Sequence, residues 1–436
     1  MDRTVDTNKF LTWRDPALQR YYSHRRIPMA ELYEMYIEEK FDWNVECEGG
    51  DCLLILQNHR HKFVNYKFTA KQLWWLVSQF LPPIITGAGL GTGSSSGKSI
   101  KETTKEIDEH YNKGNSVFAA MLGPSMTYTC GIFDKKPGFA SDVYAGDYRK
   151  SAKDGELERA QHRKFETICN RLHMQHDQSF LDIGCGWGTL SRHACRNRGT
   201  EATAVTLSVE GRRYCNESCD KLNMTVNTLL CDYRDMPRTQ KFDNIASIEM
   251  AEHVGLHNFC QPYLSKVKGM MKSHSSRFFL QVSGIKQGAN WEDMAWGLFM
   301  SKYIFPGADA STPLNWYIKM CERAGFEVEN VHTVGRPHYS YTLHKWYDNW
   351  MAHREEILNG SIDAISTHSQ GVHMFRLQEF FLGWSVIAAA QGSASCYQIV
   401  MRPNTYDSID VGMCCHDTEN MNIHRDLEMK KICVDC

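Results

Sequence analysis

A short apolar segment that breaks into three closely spaced glycines constrains the fold of this chain more than any other feature. Residues 181–190 read LDIGCGWGTL, so an apolar run stops at Asp182 and is followed by Gly184, Gly186 and Gly188. Glycines at this spacing allow a tight turn from a strand into a helix, and the free N–H groups at the helix start can approach a ligand closely. The segment therefore predicts a strand, a turn and a helix at the ligand-binding edge of a sheet.

Strand-like and helix-like segments alternate around this turn. The predicted strands cover residues 179–183, 201–207, 227–231, 242–248 and 278–282, and the predicted helices cover 189–197, 209–222 and 259–271. A strand-helix-strand rhythm of this kind predicts an α/β fold with a doubly wound, parallel sheet covered by helices on both faces.

The spacing of the glycines bears on which nucleotide such a turn would hold. Dinucleotide-binding turns read G-x-G-x-x-G and are followed by an acid at the end of the second strand. Here the turn reads G-x-G-x-G, and the second strand ends in AVTLS (204–208) without an acid. Both departures argue against NAD. Asp232 closes the third strand and precedes Tyr233, so we expect these residues on the adenine side of the crevice; the alternative for Asp232 is a solvated loop acid or a helix cap.

Composition divides the chain into four regions. Residues 1–86 form an N-terminal accessory region, 87–104 a glycine- and serine-rich linker, 105–403 a continuous globular domain, and 404–436 a disordered tail. Residues 73–86 are too short for a membrane span and are interrupted by Pro82 and Pro83. This stretch is either a core helix or an interfacial helix with Trp74 and Trp75 at headgroup depth.

The charge balance and the cysteines exclude some classes of protein. Lysine and arginine number 49 against 51 acids, a net charge of −2, which argues against a protein that coats nucleic acid. The N terminus has no apolar signal segment, so the sixteen cysteines are expected to be reduced and the protein cytoplasmic, with peripheral contact at the endoplasmic reticulum membrane as a further hypothesis. Cys433 and Cys436 form a C-x-x-C without a second ligand pair, so we expect no metal.

Several ordered motifs carry a resemblance to a known family. They are HYNKGNSVFAAMLGPSMTYTCGIF (110–133), LERAQHRKFETIC (157–169), LDIGCGWG, VTLS (205–208) and SIEMAEHVG (247–255). In this order they resemble the cyclopropane-fatty-acid synthase superfamily of methyltransferases, over roughly residues 105–403. The resemblance implies a class I methyltransferase fold, which is Rossmann-like, with helical N-terminal and cap additions, and S-adenosylmethionine as methyl donor.

Two later segments narrow the resemblance. WGLFMSKYIFPGADASTPLNWY (296–317) and EFFLGWSVIAAAQGSASCYQ (379–398) look most like the sphingolipid C-methyltransferases, which add a methyl branch to a double bond in the long-chain base. The form S-I-E-M-x-E-H is shared with the coclaurine-type amine N-methyltransferases. Residues 1–86 depart from the fungal sphingolipid enzymes, which carry membrane-spanning segments there.

The resemblance also implies which residues contact the cofactor. The family's contacts fall on Tyr111, Tyr128, Thr129, Gly184, Gly186, Thr206, Ser208 and Asp232. Asp182, Gly188 and Tyr233 are also expected to contact the cofactor, but only because of their positions at the predicted strand ends and glycine turn. Gly211 stands where the cyclopropane synthases often have a glutamine that helps to hold the cofactor.

The departing proton requires a base in either kind of methyl transfer, whether an alkene or an amine attacks. The synthases use a bound bicarbonate, and Cys130, Glu252 and Tyr339 match three of its ligands. Glu249 stands where they have a small residue, and Gln281 where they have a histidine. An added carboxylate repels an anion, so we expect no bicarbonate and no cyclopropane ring.

In our interpretation, Glu249 and Glu252 take the place of the bicarbonate site of the synthases. Spaced three apart, they would face the same way on a helical turn and raise each other's apparent pKa. We expect Glu252, or the pair Glu252–His253, to be the base and Glu249 to stabilise positive charge. The alternative is an ordinary acidic helix start.

The remaining candidate residues line the site in this interpretation. Cys130 and Tyr339 would face the substrate, as would Gln281, Trp291 and Trp296, although core packing is the alternative for the aromatic side chains. The preferred hypothesis is methylation of an unsaturated sphingoid base. The others are N-methylation of a small amine or N-heterocycle, and a cofactor-binding protein without catalysis.

Overall fold

The computed structural model describes residues 5–70, 72–74, 99–101, 103–104, 114–134, 155–286, 288, 290–306, 308, 312–362, 365 and 367–404. Tyr111, Trp75, nearly all of the predicted linker and the predicted tail after Asn404 therefore lie outside the described residues. The four-region division remains a prediction.

The strands and helices of the described residues are numbered here in chain order. The strands are β1 (Leu11–Trp13), β2 (Ile27–Pro28), β3 (Phe41–Trp43), β4 (Val64–Asn65), β5 (Ser179–Ile183), β6 (Glu201–Thr206), β7 (Asn227–Leu230), β8 (Asn244–Ile248), β9 (Arg277–Ile285), β10 (Phe326–Thr333) and β11 (Ala394–Pro403). The longer helices are α1 (Pro16–Tyr22), α2 (Met29–Ile37), α3 (Cys52–Phe63), α4 (Asn115–Leu122), α5 (Glu156–Arg171), α6 (Thr189–Arg198), α7 (Val209–Lys221), α8 (Ser265–Met270), α9 (Trp291–Phe299), α10 (Leu314–Arg323), α11 (His338–Ala352), α12 (Arg354–Leu358) and α13 (His368–Ala390).

Seven strands form the central sheet in the order β10-β11-β9-β8-β5-β6-β7. The five strands β5 to β9 run parallel, as the alternating pattern predicts. β10 and β11 add an antiparallel edge next to β9, which the sequence did not reveal. Because β5 pairs with β6 on one side and with β8 on the other, the strand order reverses there, and a crevice opens at the carboxyl ends of these strands.

Helices cover both faces of the sheet, so consecutive strand residues pack into different cores. Phe180 packs with residues of α5, α6 and α7, whereas Leu181 packs on the opposite face with Val267 and Tyr317 of α8 and α10. Strands that are buried on both faces consist of continuous apolar residues, so β5 could be predicted from the sequence. The fold class is thus the expected α/β class with helical additions.

The predicted helix over 259–271 is interrupted. One turn covers Leu256–Asn258, an irregular segment covers Phe259–Leu264, and regular helix resumes only in α8. Gln261 has extended backbone angles, and Pro262 follows it. A residue before proline is driven away from helical angles, so the break follows from the sequence.

The N-terminal helices pack against the main domain rather than standing apart. They contact helices α9, α11 and α13, which are called the cap here. α2 and α3 share one apolar core with α9, α11 and α13, which includes Tyr33, Phe299, Phe380 and Trp384. Ring centroids of Tyr33 and Phe299 lie 4.9 Å apart. The described N-terminal residues and the cap therefore bury a common core. Within the described residues, none of the helices combines the length and apolar character that crossing a bilayer requires.

A buried carboxyl sits inside this shared core. Glu379 on α13 accepts a hydrogen bond from the Tyr36 hydroxyl, and Arg376 donates to the backbone oxygens of Tyr36 and Phe41 at 3.0 and 2.8 Å. Burial raises the pKa of Glu379 to about 7.

The stability of the fold should depend on the ionisation of Glu379. The carboxyl is protonated in both states below its unfolded pKa and ionised in both above pH 7, so ionisation disfavours the folded state between these limits. We expect the free energy of unfolding, relative to that of Glu379→Gln, to fall by about 3 kcal/mol as the pH rises from 4.5 to 7. Urea unfolding of both proteins across this range measures the difference. A difference that stays constant with pH would show that Glu379 titrates normally.

Candidate active site

The glycine turn has the geometry that its sequence predicts. Gly184, Gly186 and Gly188 have φ values of +77°, +54° and +73°, in the left-handed region that glycine adopts without strain. A Cβ at Gly186 would have no protein atom within 4 Å, so its backbone faces open space. A Cβ at Gly188 would strike the Cys215 sulfur, so that glycine is needed for packing against α7.

An open cleft of about 1210 Å³ lies over this turn. It gathers most of the residues expected to contact the cofactor. They are Tyr128, Thr129, Asp182, Gly184, Gly186, Thr206, Ser208, Asp232 and Tyr233. Gly188 is not among the lining residues, and Tyr111 lies outside the described residues.

Asp182 is the penultimate residue of β5 and lies buried in the cleft wall. Its Oδ2 accepts a hydrogen bond of 2.7 Å from the Ser191 hydroxyl at the start of α6. Burial raises the pKa of Asp182 to about 6, partly offset by Ser191 and by the positive charge of Lys164. The carboxyl is therefore held in place by the helix that follows the turn.

Lys164 is a cleft residue that the sequence reasoning missed. It is fully buried on α5, and its Nζ donates to the Thr129 hydroxyl. Burial lowers the pKa of Lys164 to about 8. Ala160, Lys164 and Ile168 share one face of the helix at four-residue spacing, and the other two are buried. A lysine within this apolar stripe was the available signal.

Asp232 lies in the cleft wall but is engaged by its neighbour Arg234. Oδ1 accepts from the Arg234 backbone N–H at 2.9 Å and from Nε at 2.7 Å, and Oδ2 accepts from Nη2 at 2.8 Å. Each carboxylate oxygen has two lone pairs, so Oδ2 keeps one for a further donor such as an amino group. The expected adenine contact therefore remains compatible with the ion pair.

The residues present fit an S-adenosylmethionine molecule on several grounds. The open backbone at Gly186 leaves room for close approach, and the Thr206 and Ser208 hydroxyls lie in the cleft wall. Gly211 also contributes, because a Cβ there would lie 2.5 Å from the Gly186 oxygen and would displace the turn. A glutamine at this position, as in many cyclopropane synthases, could not be accommodated without movement of the turn.

A second cavity, of about 750 Å³, adjoins the first and shares Tyr128, Glu249 and His253 with it. Its walls are mainly aromatic and aliphatic. They comprise Tyr128, Trp296, Met300, Phe305, Ala308, Tyr339, Leu343, Trp346, Phe381 and Ala394, with the polar residues Glu249, Glu252, His253, Ser283 and Ser385 and the backbone of Gly284. None of these described lining residues is a lysine or an arginine.

Glu249 stands between the two cavities, but not on a helix. It leaves β8 with a φ of +49°, before the short turn Ala251–His253 begins. The helical i, i+3 geometry expected for Glu249 and Glu252 is therefore wrong, because the chain turns sharply after the strand. Both side chains nevertheless line the second cavity.

Three donors converge on one oxygen of Glu249. Its Oε1 accepts from the Cys130 backbone N–H at 3.0 Å, from Gln281 Nε2 at 2.6 Å and from the Cys396 thiol at 3.4 Å. Such an arrangement fixes the orientation of a carboxylate far more firmly than a single contact does.

Glu252 lies deeper in the second cavity and is buried. Its Oε1 accepts a hydrogen bond of 2.5 Å from the Ser283 backbone N–H on β9. His253 follows it in the same turn, and its ring lies 6.1 Å from that of Phe305. Of the expected base pair, Glu252 therefore lines only the second cavity, and His253 lies at its boundary with the first.

The other expected site residues divide between the cavity wall and the layer behind it. Tyr339 and Trp296 line the second cavity, and Trp296 Nε1 donates to the Ser385 hydroxyl at 3.2 Å. Burial raises the pKa of Tyr339 well above its ordinary value. Cys130 is buried behind the wall, where its thiol donates to the Val334 oxygen at 3.3 Å.

Two residues expected to line the substrate do not reach either cavity. Gln281 is fully buried behind Glu249, bonded to it and to Gln398. Trp291 is 58% exposed at the start of α9, where its ring packs 5.9 Å from Phe68. The structure places both outside the walls because β9 points Gln281 inward and α9 begins beyond the cavity.

The described residues also bring together His162, Glu166 and His193 on α5 and α6, with side-chain atoms close enough to surround an ion. Glu166 is already engaged there, since Arg198 Nη2 donates to it at 2.5 Å. The cluster has a structural explanation, and the absence of a metal remains an expectation.

Comparison with known proteins bears on this geometry. The model of the family described as mycolic acid cyclopropane synthetase matches residues 98–377. A sphingolipid C9-methyltransferase of Komagataella phaffii is 34% identical over 411 residues, which covers 91% of this chain and 75% of that protein. A sphingolipid C9-methyltransferase of Gibberella zeae is 35% identical over 399 residues, covering 91% and 69%.

Solved structures agree with the fold. A cyclopropane synthase of Mycobacterium tuberculosis superposes with a TM-score of 0.58 at 21% identity, covering 69% of this chain and 98% of that one. A coclaurine N-methyltransferase gives a TM-score of 0.55 at 18% identity, covering 80% and 97%. Since the family model spans well over half of the chain and the relatives align along most of it, the protein belongs to the mycolic acid cyclopropane synthetase family of S-adenosylmethionine-dependent methyltransferases.

Proposed function

We propose that this enzyme transfers a methyl group from S-adenosylmethionine to C9 of an unsaturated sphingoid base and closes no cyclopropane ring. One geometric observation carries the reaction class: Glu249 and His253 belong to the walls of both cavities, so a donor in the first would meet an acceptor in the second. The substrate follows from the relatives named sphingolipid C9-methyltransferase, about 35% identical over about nine-tenths of the chain.

The proposed reaction moves one methyl group and releases one proton. When bound, S-adenosylmethionine supplies a methyl group on a sulfonium centre whose C–S bond breaks with its electron pair staying on sulfur. A double bond that includes C9 provides the electron pair for the new C–C bond, which leaves a positive charge on the adjacent carbon. Loss of the proton at C9 restores the double bond.

The second cavity suits a substrate that becomes positively charged. Aromatic faces attract cations, and Tyr128, Phe305, Trp346 and Phe381 lie in its wall. The carboxylate of Glu249 adds a negative charge held at a fixed position by three donors. A preorganised charge of this kind is worth more in a water-poor cavity than in water.

Removal of the proton is assigned to Glu252, assisted by His253. Its Ser283 contact holds the carboxylate in place, and its location in the aromatic cavity supports a position near the reacting chain. Tyr339 lines the same wall, and its hydroxyl would orient the substrate. Cys130 would act from behind, through its backbone N–H on Glu249.

The absence of ring closure is argued from charge. In the synthases that the chain resembles, a small residue stands at the position of Glu249 beside the bound bicarbonate, and the carboxylate of Glu249 would repel that anion. With the base on Glu252, the proton would be taken from C9 rather than from the new methyl group, and the product would be an alkene.

Cofactor contacts are proposed for the lining residues of the first cleft. Gly184 and Gly186 would allow the close approach, Thr206 and Ser208 would meet hydroxyl groups, and Asp232 would accept from an amino group. Asp182, Tyr128, Thr129 and Tyr233 would complete the wall, with Lys164 supporting Thr129. Gly188 would serve the turn, and Tyr111 remains an expectation from the resemblance alone.

Peripheral contact with a membrane is also proposed, because the substrate is a lipid. Trp74 is 64% exposed and Trp291 is 58% exposed, as interfacial aromatic side chains would be. The endoplasmic reticulum surface facing the cytoplasm remains the compartment that we propose.

The proposed substrate class can be tested without a purified lipid. Protein is incubated with methyl-labelled cofactor and an extract of sphingolipid-containing cells, and the organic and aqueous phases are then separated. We expect the label in the organic phase, in lipids that survive mild alkali as sphingolipids do. Label confined to the aqueous phase would favour the small-amine alternative, and no transfer despite cofactor binding would favour a non-catalytic protein.

A further inference from the structure

A chain of three side-chain hydrogen bonds joins a guanidinium at the edge of the helical layer to Glu249. Arg171 Nη1 donates to Gln398 Oε1 at 2.8 Å, and Gln398 Nε2 donates to Gln281 Oε1 at 2.9 Å. Gln281 Nε2 then donates to Glu249 Oε1 at 2.6 Å. Gln281 and Gln398 are fully buried and face each other across β9 and β11.

The two ends of this chain fix its direction. A guanidinium only donates hydrogen bonds, and an ionised carboxylate only accepts them. Each glutamine amide therefore has one orientation in which every bond is made, and flipping either would set two donors or two acceptors against each other. Hydrogen bonds in series also polarise one another, most strongly where an end is charged.

The chain ends on Oε1 of Glu249, an oxygen that also accepts from two further donors. Oε1 is shared by Gln281, the Cys130 N–H and the Cys396 thiol. A backbone hydrogen bond joins the same two residues, since the Glu249 N–H donates to the main-chain oxygen of Gln281 at 2.8 Å. Glu249 nevertheless lines both cavities, so its other oxygen is the one available to a cation there.

We propose that Gln281, Gln398 and Arg171 are positioning residues, which act through Glu249 by orienting and polarising its carboxylate toward the positive charge that develops in methyl transfer. This inference rests on the proposed function, because the role of Glu249 belongs to it. None of the three lines either cavity, and Gln281 reaches the wall only through its hydrogen bond to Glu249, so we expect them to affect the rate and not the binding of the cofactor.

A double-mutant cycle tests the chain as a unit. We expect Gln281→Met and Gln398→Met each to lower kcat about tenfold, with the KM for the cofactor nearly unchanged. The double variant should have a kcat no lower than that of the less active single variant, because one break already interrupts the chain. Arg171→Lys keeps the cation and should retain more activity than Arg171→Met. Arg402→Met is the matched control and should match the wild type, because Arg402 lies on β11 as Gln398 does and the change breaks only an exposed ion pair with Glu327 on β10.

Gln398→Glu tests whether a broken hydrogen bond, rather than a loss of packing, lowers the activity. It keeps the side-chain shape and the Arg171 contact but sets a carboxylate against the Gln281 oxygen, so we expect the same fall in kcat as for Gln398→Met. Losses that multiply in the double variant, or equal activity of Arg171→Lys and Arg171→Met, would overturn the proposal.

A second readout separates this inference from the proposed substrate. The carboxylate band of Glu249 is obtained as an infrared difference between the protein and Glu249→Gln, without any lipid. We expect this band to shift in the Gln398→Met background. An unchanged band would overturn the proposed role of the hydrogen-bond chain. A shifted band without sphingolipid methylation would overturn only the proposed substrate.

Discussion

Glu252→Gln is expected to lower methyl transfer about a thousandfold, the range in which a positioned general base contributes. Glutamine keeps an oxygen that can accept from the Ser283 N–H, so the turn should remain folded. It cannot take a proton, however, and so the reacting carbon would keep its own. Glu252 is not among the described lining residues of the cofactor cleft, so cofactor affinity should stay within about twofold.

Single-turnover assays and cofactor titration of the same preparation measure both quantities. Glu327→Gln is the matched control, because it makes the same change in an exposed ion pair with Arg402, away from both cavities. Unchanged turnover in Glu252→Gln would remove this residue as the base and leave His253 as the candidate.

Gly186→Val should abolish cofactor binding while the fold survives. A Cβ at this position meets no protein atom within 4 Å, but the φ of +54° disfavours a branched side chain, and the new side chain would start in the open cleft. Extra side-chain volume in a close contact costs about 3 kcal/mol, so we expect at least about a hundredfold weaker cofactor affinity.

Gly49→Val provides the control for backbone strain. Gly49 has a φ of +67° and also meets no atom within 4 Å, but it lies in the N-terminal region outside both cavity walls. Calorimetric titration should show normal binding for Gly49→Val and none for Gly186→Val, with similar losses in Tm. Equal affinity in the two variants would mean that the cofactor does not approach the glycine turn.

The parallel part of the central sheet was predictable because its strands, apart from the edge strand β7, are largely buried. β5 to β9 each form a short apolar run followed by turn residues, and the structure places all five where the sequence indicated, with ends shifted by a few residues. β10 escaped prediction because most of Phe326–Thr333 is exposed or half-buried and polar, so the strand forms no apolar run. In β11 the polar residues Ser395 and Gln398 interrupt the apolar sequence.

The candidate site shows a similar division. The glycine turn is encoded locally, and the residues around it appear in the expected cleft. Glu249 was expected on a helix because i, i+3 spacing resembles one, but a positive φ after the strand turns the chain instead. The resemblance already associated Gln281 and Cys130 with the site of Glu249. Their convergence with Cys396 on one oxygen of Glu249 required the three-dimensional structure, because these partners come from distant segments.

The most direct measurement of the central claim is mass spectrometry of a sphingolipid after incubation with purified protein and S-adenosylmethionine. The substrate carries a double bond that includes C9, and a saturated counterpart serves as control. We expect the unsaturated lipid to gain the mass of one methylene, with fragmentation placing the branch at C9 and the double bond retained. No gain in mass, an equal gain in the saturated lipid, or a cyclopropane ring would contradict the proposed reaction.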